Sequence, residues 1–285
     1  MILEMMLVAI VDRHAAQPQR VTVGVLENPD CRSSKAAIRP LFARSDTAWF
    51  PINDRRTFGQ AVTKQMSWGV VFGGRELGTL ATIYREPPED AWFVRDLFLD
   101  LKPAQQIPRR DNPTNEFGGG CQPPSNRPLV ATTGSRFADP EGWTPVAPSA
   151  AVLDSIFPAF RRAVGNQITC LPKSDRTVAL PYAAGDLRVV GAYRNRRGRT
   201  IVGVELSPET YSCDGPIPDG FQPHWFVTGP RPVLLGADLV FVDVGDYDGD
   251  GKSDFIFFYR DLFYDGYTLF TSDFTKRVDV RWGYH

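Results

Sequence analysis

Nowhere in the 285-residue chain does an apolar run approach the roughly 18 residues that a membrane-spanning helix requires, so no transmembrane segment is expected. Histidine is scarce: only His14, His224 and His285 occur. No His-Glu-x-x-His motif, paired-histidine spacing or Gly-x-Ser-x-Gly elbow is present, which excludes the common zinc-protease and esterase signatures. The four cysteines, Cys31, Cys121, Cys170 and Cys213, form no Cys-x-x-Cys pair, so zinc-ribbon and thioredoxin-type sites are excluded. Neither sign of charge is in excess. With 32 basic and 33 acidic side chains the net charge is −1, and a general nucleic-acid binder is not expected. No repeat of fixed period is visible, which argues against a whole propeller or solenoid.

Glycine and proline are abundant, at 25 and 24 residues, and favour short strands joined by turns over long helices. Hydrophobic content of 42 % with 23 % charged residues is enough for an ordered core. Residues 1–20 resemble a secretory leader that is too short, with Glu4 where basic residues belong; an ordinary tail is the alternative. Residues 21–128 form an expected N-terminal β-rich part ending in a proline- and glycine-rich segment, 86–128, of which 91–101 is an apolar piece able to pack on the core. Its strands are 21–26 and the hairpins 37–44/47–52 and 66–72/77–83. Residues 129–285 carry the single strong helix signal, about 149–164, with Ser149 as N-cap, Pro158 inside and Gly165 at the end. Strands 187–194, 200–206 and 223–227 follow. A meander of 239–244, 254–259, 267–271 and 277–283 closes the chain, with Asp265-Gly266 read as a tight turn. The expected class is α+β, β-rich and mostly antiparallel.

One stretch carries chemistry. In Asp243-Val-Gly-Asp246-Tyr-Asp248-Gly-Asp250-Gly-Lys252-Ser-Asp254, carboxylates occupy loop positions one, three, five and nine, counted from Asp246, around a glycine at position six. Oxygen donors at that spacing can converge on one Ca²⁺, with the Lys252 carbonyl at position seven. The run Gly251-Lys252-Ser253 imitates the end of a phosphate-binding loop, but Asp246 stands where the first glycine is needed, and Asp248 and Asp250 would repel phosphate. A metal-free Asp/Gly turn is the bland alternative.

The pattern Asp-x-Asp-Gly-Asp-Gly-x-x-Asp followed by an apolar strand resembles the calcium loop of FG-GAP and VCBS-type repeats of integrin-like propellers. The resemblance implies a loop between two antiparallel strands, here 239–244 and 255–259. It implies side-chain ligands Asp246, Asp248, Asp250 and Asp254, a carbonyl ligand at Lys252, and Ca²⁺ as the cofactor. It covers residues 239–259 alone and occurs in one copy. The rest of the chain is similar, more loosely, to uncharacterised exported bacterial proteins, which implies a periplasmic or extracellular setting.

The remaining signals are weaker. An even cysteine count fits one or two disulfides in an exported protein, with Cys170–Cys213 the preferred pair, or four thiols in a cytosolic core. His224 beside Trp225 is the single histidine placed for catalysis, and a core histidine is the simpler reading. Arg194, Arg196, Arg197 and Arg199 crowd one hairpin tip and suit either a polyanion or a solvated turn. Six tryptophans offer core packing or a sugar-stacking shelf. Three functions follow: an exported, non-enzymatic binding or structural protein with one structural Ca²⁺; a hydrolase-like enzyme with a cleft near His224 and the proline-rich segment; or a binder of carbohydrate or polyanion. The expected partner is a cell-surface glycan or protein.

Overall fold

The computed structural model describes residues 20–27, 36–46, 48–84, 97–108, 128–170, 178–207 and 220–283. The chain opens with Thr22–Glu27 (β1), Ala37–Ser45 (β2), Ala48–Pro51 (β3), a short helix Arg55–Ala61 (α1), Gln65–Phe72 (β4), Arg75–Ile83 (β5), Leu99–Leu101 (β6) and Val130–Thr132 (β7). The order β1-β7-β4-β5-β6-β2 closes on itself because β1 also pairs with β2, giving a six-stranded antiparallel barrel with β3 added outside. Closure removes the exposed edges that a sheet of short strands would otherwise present. Alternation fills the inside with Leu26, Ile38, Trp68, Val70, Leu80, Leu99 and Ala131. The buried Trp68 indole N–H donates to Thr82 Oγ1 at 3.0 Å.

Next come Thr144–Pro145 (β8), Ala150–Val164 (α2), Gln167–Cys170 (β9), Val178–Pro181 (β10), Leu187–Arg194 (β11), Thr200–Leu206 (β12), His224–Val227 (β13) and Val233–Ala237 (β14). Five of these form a sheet in the order β14-β13-β12-β11-β8, and β9 with β10 forms a separate hairpin. The last four strands, Leu239–Gly245 (β15), Asp254–Arg260 (β16), Tyr264–Thr271 (β17) and Lys276–Gly283 (β18), are a plain meander.

The meander is the middle layer. Val242, Ile256, Phe258, Tyr267, Leu269 and Val280 pack on the outside of the barrel against Val23, Val25, Phe42, Val71 and Val130. Phe241, Phe255, Phe257 and Phe270 point the other way, onto Trp143, Ile201, Trp225 and Val227. Burial on both faces is why Phe255-Ile256-Phe257-Phe258 reads as an unbroken apolar run rather than an alternation. Each such side chain contributes about 1.5–3 kcal/mol on leaving water. The far face of the five-stranded sheet is covered by α2 through Ile156, Ala159 and Phe160.

A charged group also joins barrel to meander. Glu27 accepts from the Tyr267 hydroxyl at 2.5 Å and from Arg39 Nε at 2.7 Å, all three side chains being buried. The Arg39 guanidinium lies 4.0 Å from the centre of the Phe98 ring and 4.3 Å from that of Trp282. Burial and the neighbouring Glu27 charge hold the Tyr267 phenol well above its usual range.

The structure is β-rich and antiparallel, as the composition suggests, but barrel closure was not expected. Val130–Thr132 supplies the barrel with a strand just beyond the proline-rich segment. The second helix, α1, also goes beyond the one expected. The Asp265-Gly266 turn is corrected: both residues lie inside β17, opposite Trp282 and Arg281. Gly266 is needed because a Cβ there would collide with the Val280 carbonyl oxygen. The turn itself is at 261–263, where Asp261 Oδ1 accepts from the Phe263 and Tyr264 amides at 2.7 and 2.6 Å. Helix α2 begins after Ser149, whose side chain makes no capping hydrogen bond. The Cys170–Cys213 pairing and the leader-like segment lie outside the described residues and side chains. No helix among the described residues is long and apolar enough to cross a membrane.

Candidate metal centre

The aspartate loop joins β15 to β16. Gly245 and Asp254 form the last register pair of the two strands, so residues 246–253 turn the chain through a full reversal. Gly249 and Gly251, at φ +71° and +82°, take left-handed conformations that a side chain would strain. Asp248 Oδ1 accepts from the Asp250 amide at 3.1 Å, and Asp250 Oδ1 from the Lys252 amide at 2.8 Å. These short-range turns are the local reason an Asp/Gly alternation curls.

The result brings oxygens of Asp246, Asp248 and Asp254 within 4.8 Å of one another. Asp254 is fully buried and Asp246 is 7 % exposed. One oxygen of each is already used: Asp254 Oδ2 accepts from the Tyr247 amide at 3.0 Å, and Asp246 Oδ2 from the Gly251 amide at 3.1 Å. The other oxygen of each, Oδ1, is buried and has no hydrogen-bond partner. A buried orphan acceptor costs about 1–3 kcal/mol, more when charged. Burial, then the charges of Asp248 and Asp250, push the Asp254 carboxyl up to about 8. Burial raises Asp246 as well, with the same two neighbours adding to it. Three crowded carboxylates with spare lone pairs could hold a hard divalent cation, beside their role in holding the loop's turns.

Comparison with protein-family models, with characterised proteins and with solved structures returns no match. The site therefore stands on its own geometry. Asp250, the fourth carboxylate of the motif, is exposed and lies outside the converging group. The Lys252 ammonium pairs with Asp273 at 3.0 Å, and this bond and charge hold the Asp273 carboxyl below its usual range.

What the motif does not reveal is its surroundings. From the barrel, Arg44 donates to the Asp248 carbonyl and lies 3.8 Å from its carboxylate. The amide of Gly73, in the β4–β5 turn, donates to Asp243 at 2.8 Å, and the Tyr247 hydroxyl donates to the same carboxylate at 3.1 Å. Asp139 accepts from the Ser253 hydroxyl at 2.6 Å, and Arg136 reaches the Gly249 carbonyl at 3.3 Å. Asp273 ties the loop onward to Arg199 of the five-stranded sheet, at 3.1 Å. These partners lie up to 204 residues away in sequence, and no local pattern signals them.

The other expected sites are placed as follows. His224 is buried within β13, with Nδ1 at 2.8 Å from the Gln222 carbonyl and its ring edge-on to Phe160. At the arginine tip, the buried Asn195 Oδ1 accepts from the Arg197 and Arg199 amides, Arg194 donates to Thr200, and Arg199 turns to Asp273. Of the described tryptophans, Trp68, Trp143, Trp225 and Trp282 are buried, whereas Trp49 is partly open.

Proposed function

We propose that the chain is a non-enzymatic binding or structural protein whose three β layers are locked together by one Ca²⁺. In this reading Asp246, Asp248 and Asp254 hold the ion with their carboxylates. Asp250 and the Lys252 carbonyl complete the shell, as the resemblance to the FG-GAP and VCBS-type loop implies. The observation that carries the reading is the pair of buried Oδ1 atoms, on Asp246 and Asp254, that lack any hydrogen bond in residues whose carboxylates converge with that of Asp248. Loops that mix carboxylates with a backbone carbonyl suit the larger, geometrically tolerant Ca²⁺ over Mg²⁺. Loops of this kind in extracellular modules bind at about 10⁻⁴–10⁻³ M, which supports a periplasmic or extracellular setting in a bacterium.

The ion's work here is structural. It offsets the repulsion of a loop that is bonded to the barrel through Arg44 and linked to the five-stranded sheet through Asp273. Thermal unfolding of calcium-stripped protein, titrated with Ca²⁺ and in parallel with Mg²⁺, tests this. At an ion concentration about a hundredfold above Kd the expected stabilisation is about 2.7 kcal/mol, or about 5 °C in Tm, for Ca²⁺ and much less for Mg²⁺. A Tm unmoved by Ca²⁺ would reduce the aspartates to a turn.

A further inference from the structure

Beside the aspartate loop lies a cleft of about 330 Å³ whose walls include Trp49, Asp248, Thr271, Ser272, Lys276 and Arg277. We propose that, in the cation-loaded protein, this cleft binds the carboxylate and ring of an acidic sugar of the hexuronate class. The proposal rests on the metal reading in one respect, since Asp248 belongs to both the triad and the cleft wall.

Four features converge. Lys276 is exposed and has no ion-pair partner among the described residues, so its ammonium is free for an incoming anion. Arg277 spends its Nε on Asp279, at 2.9 Å, and its guanidinium adds positive potential at the rim. Trp49 is the one described tryptophan left partly open, and it lines the cleft. The open part of its ring offers an apolar surface to the C–H face of a sugar. Finally, Ser272, Asp273 and Phe274 are three consecutive left-handed residues, at φ +51°, +59° and +68°. Each such residue costs about 1–2 kcal/mol, and strain of this kind gathers at ligand sites. The strained turn is held by Asp273 on Lys252 and Arg199 and by Phe274 packed on Phe255, 4.5 Å between ring centres. Ser272, the first residue of that turn, lines the same cleft as Trp49.

Charge explains the coupling. Without a cation, the Asp248 carboxylate faces the cleft and opposes an anion. A divalent ion on the triad lowers the net negative charge at the cleft wall, which favours an anion at Lys276. The volume stands at the small end of ligand sites, about 300–1,000 Å³, which suits one or two sugar rings rather than a polymer groove.

The test is ligand-observed NMR with D-galacturonate, and with D-galactose as its neutral counterpart. The protein is stripped of calcium on a resin, because a soluble polycarboxylate chelator would itself compete, and is then reloaded; Tm is read on the same samples. The expected result is saturable galacturonate binding in Ca²⁺, about tenfold weaker in stripped protein and in Lys276→Gln, and weak binding of galactose. Trp49→Phe should weaken both sugars. If Ca²⁺ raises Tm but galacturonate fails to bind, or binds no better than galactose, the cleft proposal is overturned while the metal reading survives. If Ca²⁺ leaves Tm unmoved and galacturonate binds equally with and without it, the coupling is overturned together with the metal reading. If neither effect occurs, both fall.

Discussion

Replacing Asp254 by Asn should change stability in opposite directions with and without calcium. Asp254 has two carboxylate neighbours, Asp246 and Asp248, with oxygens no more than 4.8 Å apart. At an effective dielectric of about 20, each fully charged pair costs about 3–4 kcal/mol. The metal-free protein escapes part of this by keeping Asp254 protonated up to about pH 8. At pH 8.5 most of that escape is closed. Asparagine has the same shape and no charge. Its carbonyl can keep the bond from the Tyr247 amide, and its NH₂ can donate to the orphaned Asp246 Oδ1. A hydrogen bond to a charged group contributes about 1.5–3 kcal/mol, so calcium-free Asp254→Asn should melt about 4–6 °C above the parent at pH 8.5.

In calcium the ranking reverses. The variant offers the ion one anionic ligand fewer, so most of the parent's gain of about 4.1 kcal/mol at a thousandfold excess over Kd disappears. Differential scanning calorimetry of both proteins, stripped and in Ca²⁺ about a thousandfold above the parent's Kd, should give melting curves that cross in order. An Asp254→Asn variant that is destabilised equally in both conditions would refute the reasoning, because the carboxylate would then be acting only as a turn residue.

Two further outcomes follow from the same structure. Asp254 ionises at about 8 when folded against 3.8 in the unfolded chain, so the native state holds the extra proton between those values. Stability of the calcium-free protein should therefore fall as pH rises from about 4 to 8 and level off above; saturating calcium, which requires the ionised carboxylates, should abolish that decline, as urea melts across the range will read. Gly266→Ala drives a methyl group into the Val280 carbonyl oxygen and the Arg281 side chain, and should cost about 2–4 kcal/mol by urea midpoint; a loss below about 1 kcal/mol would mean that the backbones of β17 and β18 are not this close.

The sequence made some parts of this molecule easy to read and hid others for physical reasons. The hairpins β2–β3, β4–β5 and β11–β12 and all four meander strands are legible, because each has enough residues to express a period and a Gly- or Asp-bearing turn to end it. Barrel closure depends on β6 and β7, three residues each, too short for any pattern to emerge. Helix α1, of seven residues, is also short, yet it left a usable signal: Asp54 and Thr57 form a reciprocal cap, the Asp54 carboxylate taking the Thr57 amide at 2.6 Å. Asp265-Gly266 misled because glycine serves close approach between strands as readily as turning. In the metal loop the spacing locates Asp246, Asp248 and Asp254, since a loop's ligands are local. It says nothing of Arg44, Arg136, Asp139 or Asp273, whose contacts come from tertiary folding.

That division has an energetic consequence. The loop's geometry is held by Arg44 from the barrel, Asp139 from the segment before β8, Asp243 reaching Gly73, and Asp273 bridging to Arg199. The contacts around the converging carboxylates are therefore complete only when all three β layers have docked. An ion bound there cannot be lost by fraying one hairpin without breaking contacts in the other layers. Under the proposed calcium reading, the binding free energy would belong to the global unfolding transition rather than to a local one. The same contacts explain why the repulsion of the metal-free triad is tolerated: the apolar faces of the meander, buried on both sides, supply the stability against which a crowded set of carboxylates is held. Calcium should accordingly raise amide-exchange protection in strands as distant as β1 and β12 by as much as in β15 and β16.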